Sequence, residues 1–186
     1  MLERIRAEAR KRLPEFGAHG FEHTERVYRA SFHIAGSTEC DLSILLPAAL
    51  LHDVGRGAAD HARAGAEIAG RILKSVGYEH EKREAVVEAI STHSFTGGRA
   101  PSSLEARVLS DADKLDAMGA IGVCRAAMYS VEHGRPLEDF IAHFHEKLLK
   151  LRDTFYTEEA GRLAESRHNF MLGFLAQLGR ERDFRA

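Results

Sequence analysis

Tryptophan is absent from this chain of 186 residues, cysteine and proline are scarce at two and four, and neither charge sign prevails, with 26 Lys and Arg against 28 Asp and Glu. Each scarcity excludes a class of protein. Cys40 and Cys124 cannot build a framework of several disulfides, and neither stands in a CxxC pair that would suggest zinc or redox chemistry. They are expected as idle thiols in a reducing cytosol. A formal net charge of −2 leaves no basic excess for docking on a phosphate backbone, so a nucleic acid polymer is not an expected partner. The longest apolar run, Ile44 to Leu51, is too short to cross a bilayer, and Glu3, Arg4, Arg6 and Glu8 interrupt any signal-peptide core. A soluble, cytoplasmic protein without membrane attachment is expected.

What is present is ordinary globular composition, 44% apolar and 29% charged, with an excess of histidine, eleven in all. Nearly every long segment repeats its apolar residues with a period near 3.6, and none shows sustained alternation bounded by hairpin turns. The pattern predicts an all-α, single-domain helical bundle spanning residues 1–186, with a helical extension of about 136–180. A short helix over 2–12 stops before Pro14. The next, about 21–34, places His23, Val27, Ala30 and Ile34 on one face. Asp41 is a candidate cap for a helix ending near Asp53, in which Pro47 argues for a kink or a later start, and Gly55 supplies the stop.

Further helices are expected over about 60–75 and 81–94, the second aligning Val86, Ala89, Ile90 and His93. Thr96 to Pro101, with Gly97-Gly98, reads as a loop. Ser102 with Glu105 forms a capping-box pattern for a helix on which Leu104, Val108, Asp111 and Leu115 share a face. An apolar segment reaches about Val131 and breaks at Gly134-Arg135-Pro136. Beyond it, the stripes Phe140, Phe144, Leu148 and Phe170, Phe174, Leu178 are expected in the core or at the interface of a homodimer. His33, His61, His80, His133, His143, His145 and His168 are expected as packing or solvated histidines.

His23, the adjacent His52-Asp53 and Asp111 are potential metal ligands from three separate segments, each beside an apolar helical pattern that turns it inward. An inward aspartate is costly to bury without a partner such as a cation. Imidazoles and carboxylates together suit a borderline or hard divalent ion, one of Mn, Mg, Fe, Co, Ni or Zn. Adjacent helical residues diverge by about 100° around the axis, so His52 and Asp53 share one ion most easily where their helix is ending.

The segments HGFEHTERV (19–27), LLHDVGR (50–56), HSF (93–95) and SDADKLDA (110–117) together resemble the HD-domain superfamily of metal-dependent phosphohydrolases, especially its small stand-alone members. The resemblance covers about residues 15–130 and rests on the ordered set H, HD, D in matching helical contexts. It implies an all-α fold and one divalent ion held by His23, His52, Asp53 and Asp111. Arg26 and Arg56 are the candidates for phosphate contact, with His19 beside them. His93, Lys114 and Asp116 are candidates for charge stabilisation, proton movement or orienting roles in catalysis, and Asp113 for orienting water or a cation.

Two departures from relatives stand out. No dense HHE-type cluster accompanies His93, which favours a single ion, and Val54-Gly55-Arg56 lacks the acidic residue that some nucleotidase-type relatives place after the HD pair. The implied substrate is a small phosphorylated molecule of the nucleotide class. Pyrophosphohydrolysis of a nucleoside triphosphate is favoured over dephosphorylation of a monophosphate. The alternative is a non-catalytic metal- or nucleotide-binding sensor, or an interaction protein with a structural metal.

Overall fold

The structure, a computed structural model, describes residues 1–93 and 100–185. Among the described residues it contains helices and no strands: α1 (Leu2–Arg10), α2 (Phe21–Ala35), α3 (Leu42–Leu51), α4 (His61–Ser75), α5 (His80–Thr92), α6 (Leu104–Asp116), α7 (Gly119–Glu132), α8 (Leu137–Glu146) and α9 (Glu158–Arg182), with a 3-10 helix at Leu148–Thr154. This is the all-α architecture the periodicity predicts. The expected loop residues Thr96, Gly97, Gly98 and Arg99 lie outside the described residues. Contacts gather into two compact units, Met1–Asp113 and Lys114–Ala186, the division falling inside α6. None of the described helices is long and apolar enough to cross a membrane.

The first unit is built around α3, whose sequence LSILLPAALL is apolar almost all round. Such a helix must be covered on every side. Residues Leu45 to Leu51 are all buried, and α1, α2, α4 and α5 pack against them. Burying each leucine fully contributes about 1.5–3 kcal/mol, and Leu45, Leu50 and Leu51 have no exposed surface. Truncating one of them to alanine is therefore expected to cost about 2–5 kcal/mol.

The helix runs unbroken through Pro47, contrary to the later start that the proline suggests. Proline has no N–H to give to the carbonyl four residues back, which here belongs to Ser43. The hydroxyl of Tyr78 donates to that carbonyl at 2.5 Å, so the acceptor freed by Pro47 is satisfied from outside the helix. At the start of α3, Asp41 caps as expected, its Oδ1 accepting from Ser43 N at 2.7 Å. Asp60 caps α4 in the same way, accepting from Arg63 N at 3.1 Å.

The expected capping box of α6 does not form, and Ser103 caps the helix in place of Ser102. Ser103 Oγ accepts from Ala106 N at 3.1 Å, whereas Ser102 donates to Glu88 and Glu105 accepts from Asp41 N at 2.8 Å. Two long-range contacts thus outcompete the local box.

In the second unit α7 packs on α9, and α8 continues into the 3-10 helix, which also meets α9. Phe140, Phe144 and Leu148 are buried as their stripe predicts. Phe174 closes an aromatic cluster with ring centroids 6.2 Å from Phe140 and 6.0 Å from Phe144. Phe170, from the other stripe, is exposed. The guanidinium of Arg167 donates to Leu115 O, pinning α9 to the end of α6.

Candidate metal centre

His23 lies in the first turn of α2 and His19 in the turn before it, so both project from one end of that helix. α3 ends at Leu51, with His52 as its C-terminal cap and Asp53 in the turn that follows. The pair thus stands where the helix is ending, the place at which two adjacent side chains most easily share one ion. His93 caps the end of α5 and is buried. His61 opens α4, and Asp113 comes from α6.

The turn after the HD pair is held close to α4 by glycine. A Cβ on Gly55 would stand 2.2 Å from Gly65 N and 2.5 Å from His61 O, and one on Gly65 would stand 3.0 Å from His52 O. The stop expected at Gly55 is thus a requirement for close backbone approach, not for left-handed backbone.

Three overlapping groups of donors converge within 4.8 Å: His19, His23 and Asp53; His23, His52 and Asp113; and His52, Asp53 and His93. His23 Nε2 stands 3.2 Å from His52 Nε2, 3.4 Å from Asp113 Oδ1 and 3.7 Å from Asp53 Oδ2. Metal–ligand bonds of about 2.0–2.2 Å place neighbouring donors on the order of 3–3.5 Å apart, so this spacing fits a coordination shell. The rings of His19, His23, His52, His93 and His61 form a row, each edge-on to the next, with centroids 5.8, 5.1, 5.3 and 6.0 Å apart.

Backbone carbonyls choose the tautomers. His52 Nδ1 lies 2.8 Å from Ala49 O and His93 Nδ1 lies 2.6 Å from Ile90 O. A carbonyl only accepts, so each Nδ1 carries the proton and each Nε2 presents a lone pair. Burial pushes His52 down to about 4, with Asp53 opposing that shift and His23 reinforcing it. The ring is neutral near pH 7, the form that ligates.

Burial also works against the charge on Asp53. The charge on His52, the hydrogen bond from His19, and the charges on His23 and Arg56 outweigh it and hold the carboxyl well below the usual carboxylate range. For Asp113 burial again opposes ionisation, and the hydrogen bond and charge of His23, followed by His52 and His93, prevail. Its side chain keeps 28% exposure, so the cluster has an open side.

Of the expected ligands, His23, His52 and Asp53 come together. Asp111, fully buried, is not in any converging group among the described residues, and Asp113 stands there instead. Two positions along a helix turn the side chain by about 200°. From Val108 to Asp116 every residue of α6 except Asp113 is buried, so the apolar stripe that favoured Asp111 does not discriminate between the two carboxylates.

His19 and Arg56 join the site through Asp53. His19 Nδ1 is 3.3 Å from Oδ2, and Arg56 Nη2 is 2.7 and 2.9 Å from Oδ1 and Oδ2. Arg26 lies one turn beyond His23 and lines a cavity of about 440 Å³ with Arg6, Arg10, Glu22 and Glu25. Lys114 donates to Thr154 O and stands over the rings of Phe155 and Tyr156, while Asp116 pairs with Arg125 at 3.2 Å. These contacts all lie within the second unit. His61, expected as a bystander, lies beside His93, with burial and then the charge of Arg56 pushing it down. Its only sequence signal is its place eight residues after Asp53, at a helix start.

Comparison with known proteins agrees with this geometry. The family model described as "HD domain" matches residues 20–118. The chain is 35% identical over 176 residues to the uncharacterized protein YpgQ of Bacillus subtilis, covering 90% of this chain and 86% of that protein. The crystal structure of YpgQ in complex with ADP superposes with a TM-score of 0.85 at 33% identity, covering 97% of each chain. An HD-superfamily hydrolase of Bacillus thuringiensis superposes with a TM-score of 0.78 at 31% identity, over 98% of this chain and 96% of that one. On the match over residues 20–118 and the likeness along nearly its whole length, the chain belongs to the HD-domain family, whose superfamily comprises metal-dependent phosphohydrolases.

Proposed function

We propose that this protein is a metal-dependent phosphohydrolase of nucleotides, with His23, His52, Asp53 and Asp113 as the ligands of one divalent ion. The observation that carries the reading is the approach of two imidazole Nε2 atoms to 3.2 Å with carboxylate oxygens of Asp53 and Asp113 at 3.7 and 3.4 Å from one of them. A bound divalent ion supplies acidified water and a polarised phosphoryl oxygen.

The chain's own residues supply the rest. Ala49 O and Ile90 O orient His52 and His93 so that their lone pairs face inward. In this reading Arg56, with one third of its side chain exposed, and His19 contact phosphate oxygens of the substrate. His93 and His61, adjacent at the far end of the imidazole row, move a proton. Neither role extends to Lys114 or Asp116. The ADP-bound state of YpgQ supports a nucleotide as the substrate class, and we favour release of pyrophosphate from a nucleoside triphosphate over release of phosphate from a monophosphate.

The test is a phosphate- and pyrophosphate-release panel over nucleoside mono-, di- and triphosphates with Mn²⁺, Mg²⁺, Co²⁺, Ni²⁺, Fe²⁺ and Zn²⁺, with Asp53→Ala as control. Pyrophosphate from triphosphates, lost in the control, is the expected result. Tight nucleotide binding with no turnover under any metal would instead establish a sensor.

A further inference from the structure

Asp53 is a fully buried carboxylate whose two oxygens are both engaged by one guanidinium. Arg56 Nη2 lies between them at 2.7 and 2.9 Å, and Nε adds a contact of 3.2 Å to Oδ2. The same Oδ2 receives His19 Nδ1 at 3.3 Å. A carboxylate has about four lone-pair sites in all, and on Oδ2 they are taken. A cation that binds Asp53 through Oδ2 must displace part of this arrangement, whereas Oδ1 meets Nη2 alone.

Arg56 sits three residues from Asp53 in an irregular turn, and one third of its side chain is exposed. We infer that Arg56 is a resident counter-cation for Asp53, exchanged against the divalent ion when the ion binds. The guanidinium compensates a buried charge that would otherwise be isolated, and the ion takes over that task. The released fork, planar and suited to two phosphate oxygens, then faces incoming substrate from the rim of the same site. Metal binding thereby arms the nucleotide contact. This exchange rests on the metal-binding reading of the cluster.

The competing arrangement is a shared carboxylate, with Arg56 and the ion on Asp53 together and the arginine orienting the ligand. The two differ in the sign of one measurement. Mn²⁺ alone is titrated by calorimetry into chelator-treated wild type, Arg56→Met and Arg56→Lys. Exchange requires the metionine variant, freed of its competitor, to bind Mn²⁺ more tightly, by about tenfold, with Arg56→Lys between it and wild type. It also requires the chelator-treated methionine variant to melt at a lower temperature than wild type, with the gap closing in saturating Mn²⁺.

Equal or weaker Mn²⁺ binding by the variants overturns the exchange while leaving the metal reading intact. Absence of Mn²⁺ binding by wild type itself overturns both. Arg56→Lys keeps a positive charge at the position, so the comparison survives if Arg56→Met fails to fold.

Discussion

Asp53 and Asp116 are both buried carboxylates, and each holds a guanidinium: Arg56 at 2.7 Å, nearest atoms, and Arg125 at 3.2 Å. Their surroundings differ. Around Asp53 stand His19, His23, His52 and His93, with lone pairs fixed inward on His52 and His93, and its arginine is one third exposed. Asp116 meets an arginine with only 9% of its side chain exposed, between the end of α6 and the second turn of α7. What distinguishes the Asp53 pair is the convergence of further donors and the exposure of its arginine.

The comparison breaks most visibly by mutation. Asp53→Ala is expected to lower nucleotide hydrolysis by about 10³-fold or more, read in the pyrophosphate-release assay. Asp116→Asn is expected to cost roughly 3–5 kcal/mol, as loss of one partner leaves a buried charge, and to leave Mn²⁺ affinity within about twofold. Measured by denaturant unfolding and calorimetry, equal metal loss in both variants would erase the distinction.

Acid sharpens it next. The folded pKa of His52, about 4, lies below the unfolded value near 6.5, so the unfolded chain binds the proton first. Stability of the chelator-treated protein falls as pH drops from about 6.5 to about 4, by roughly 3 kcal/mol at the bottom of that window. His52→Gln is expected to flatten the slope in urea melts taken across this range, and an unchanged slope would assign it elsewhere. Asp53 and Asp113, held below the ordinary carboxylate range, add losses only as pH falls further, through their folded values.

Asp113→Asn is expected to weaken Mn²⁺ binding by about 10- to 100-fold, while Asp111→Asn leaves it within about twofold. Calorimetry on the two variants decides which carboxylate of α6 faces the ion. The smallest effect belongs to Tyr78→Phe, which leaves Ser43 O without its donor and is expected to cost about 1 kcal/mol, seen as a shifted urea midpoint with Mn²⁺ affinity unchanged.

Legibility in the sequence followed the physics of each feature. Helices were readable because their apolar periodicity is strong, and the ends of α2 and α4 lie within a residue or two of expectation. His52 and Asp53 were readable because the apolar run into them must be buried and must then stop. Asp113 was not: on α6 nearly every side chain from Val108 onward is buried, so periodicity no longer points. Nor was the Arg56 clasp on Asp53, since one i,i+3 contact looks like any surface ion pair in a string of letters. The passage of α3 through Pro47 depends on Tyr78, 35 residues away, and no local pattern announces it.

Between Gly55 and Gly65 two stretches of main chain meet with nothing interposed. Spacing set by side chains can yield, because a rotamer turns or a methyl slides. Contact between bare peptide groups is a hard stop. The ledge that carries Asp53 therefore has its height above α4 dictated by atomic radii, and a single added methyl at either glycine would press on main chain, that of Gly65 and His61 from Gly55 and that of His52 from Gly65, and shift the carboxylate without altering any side chain of the cluster.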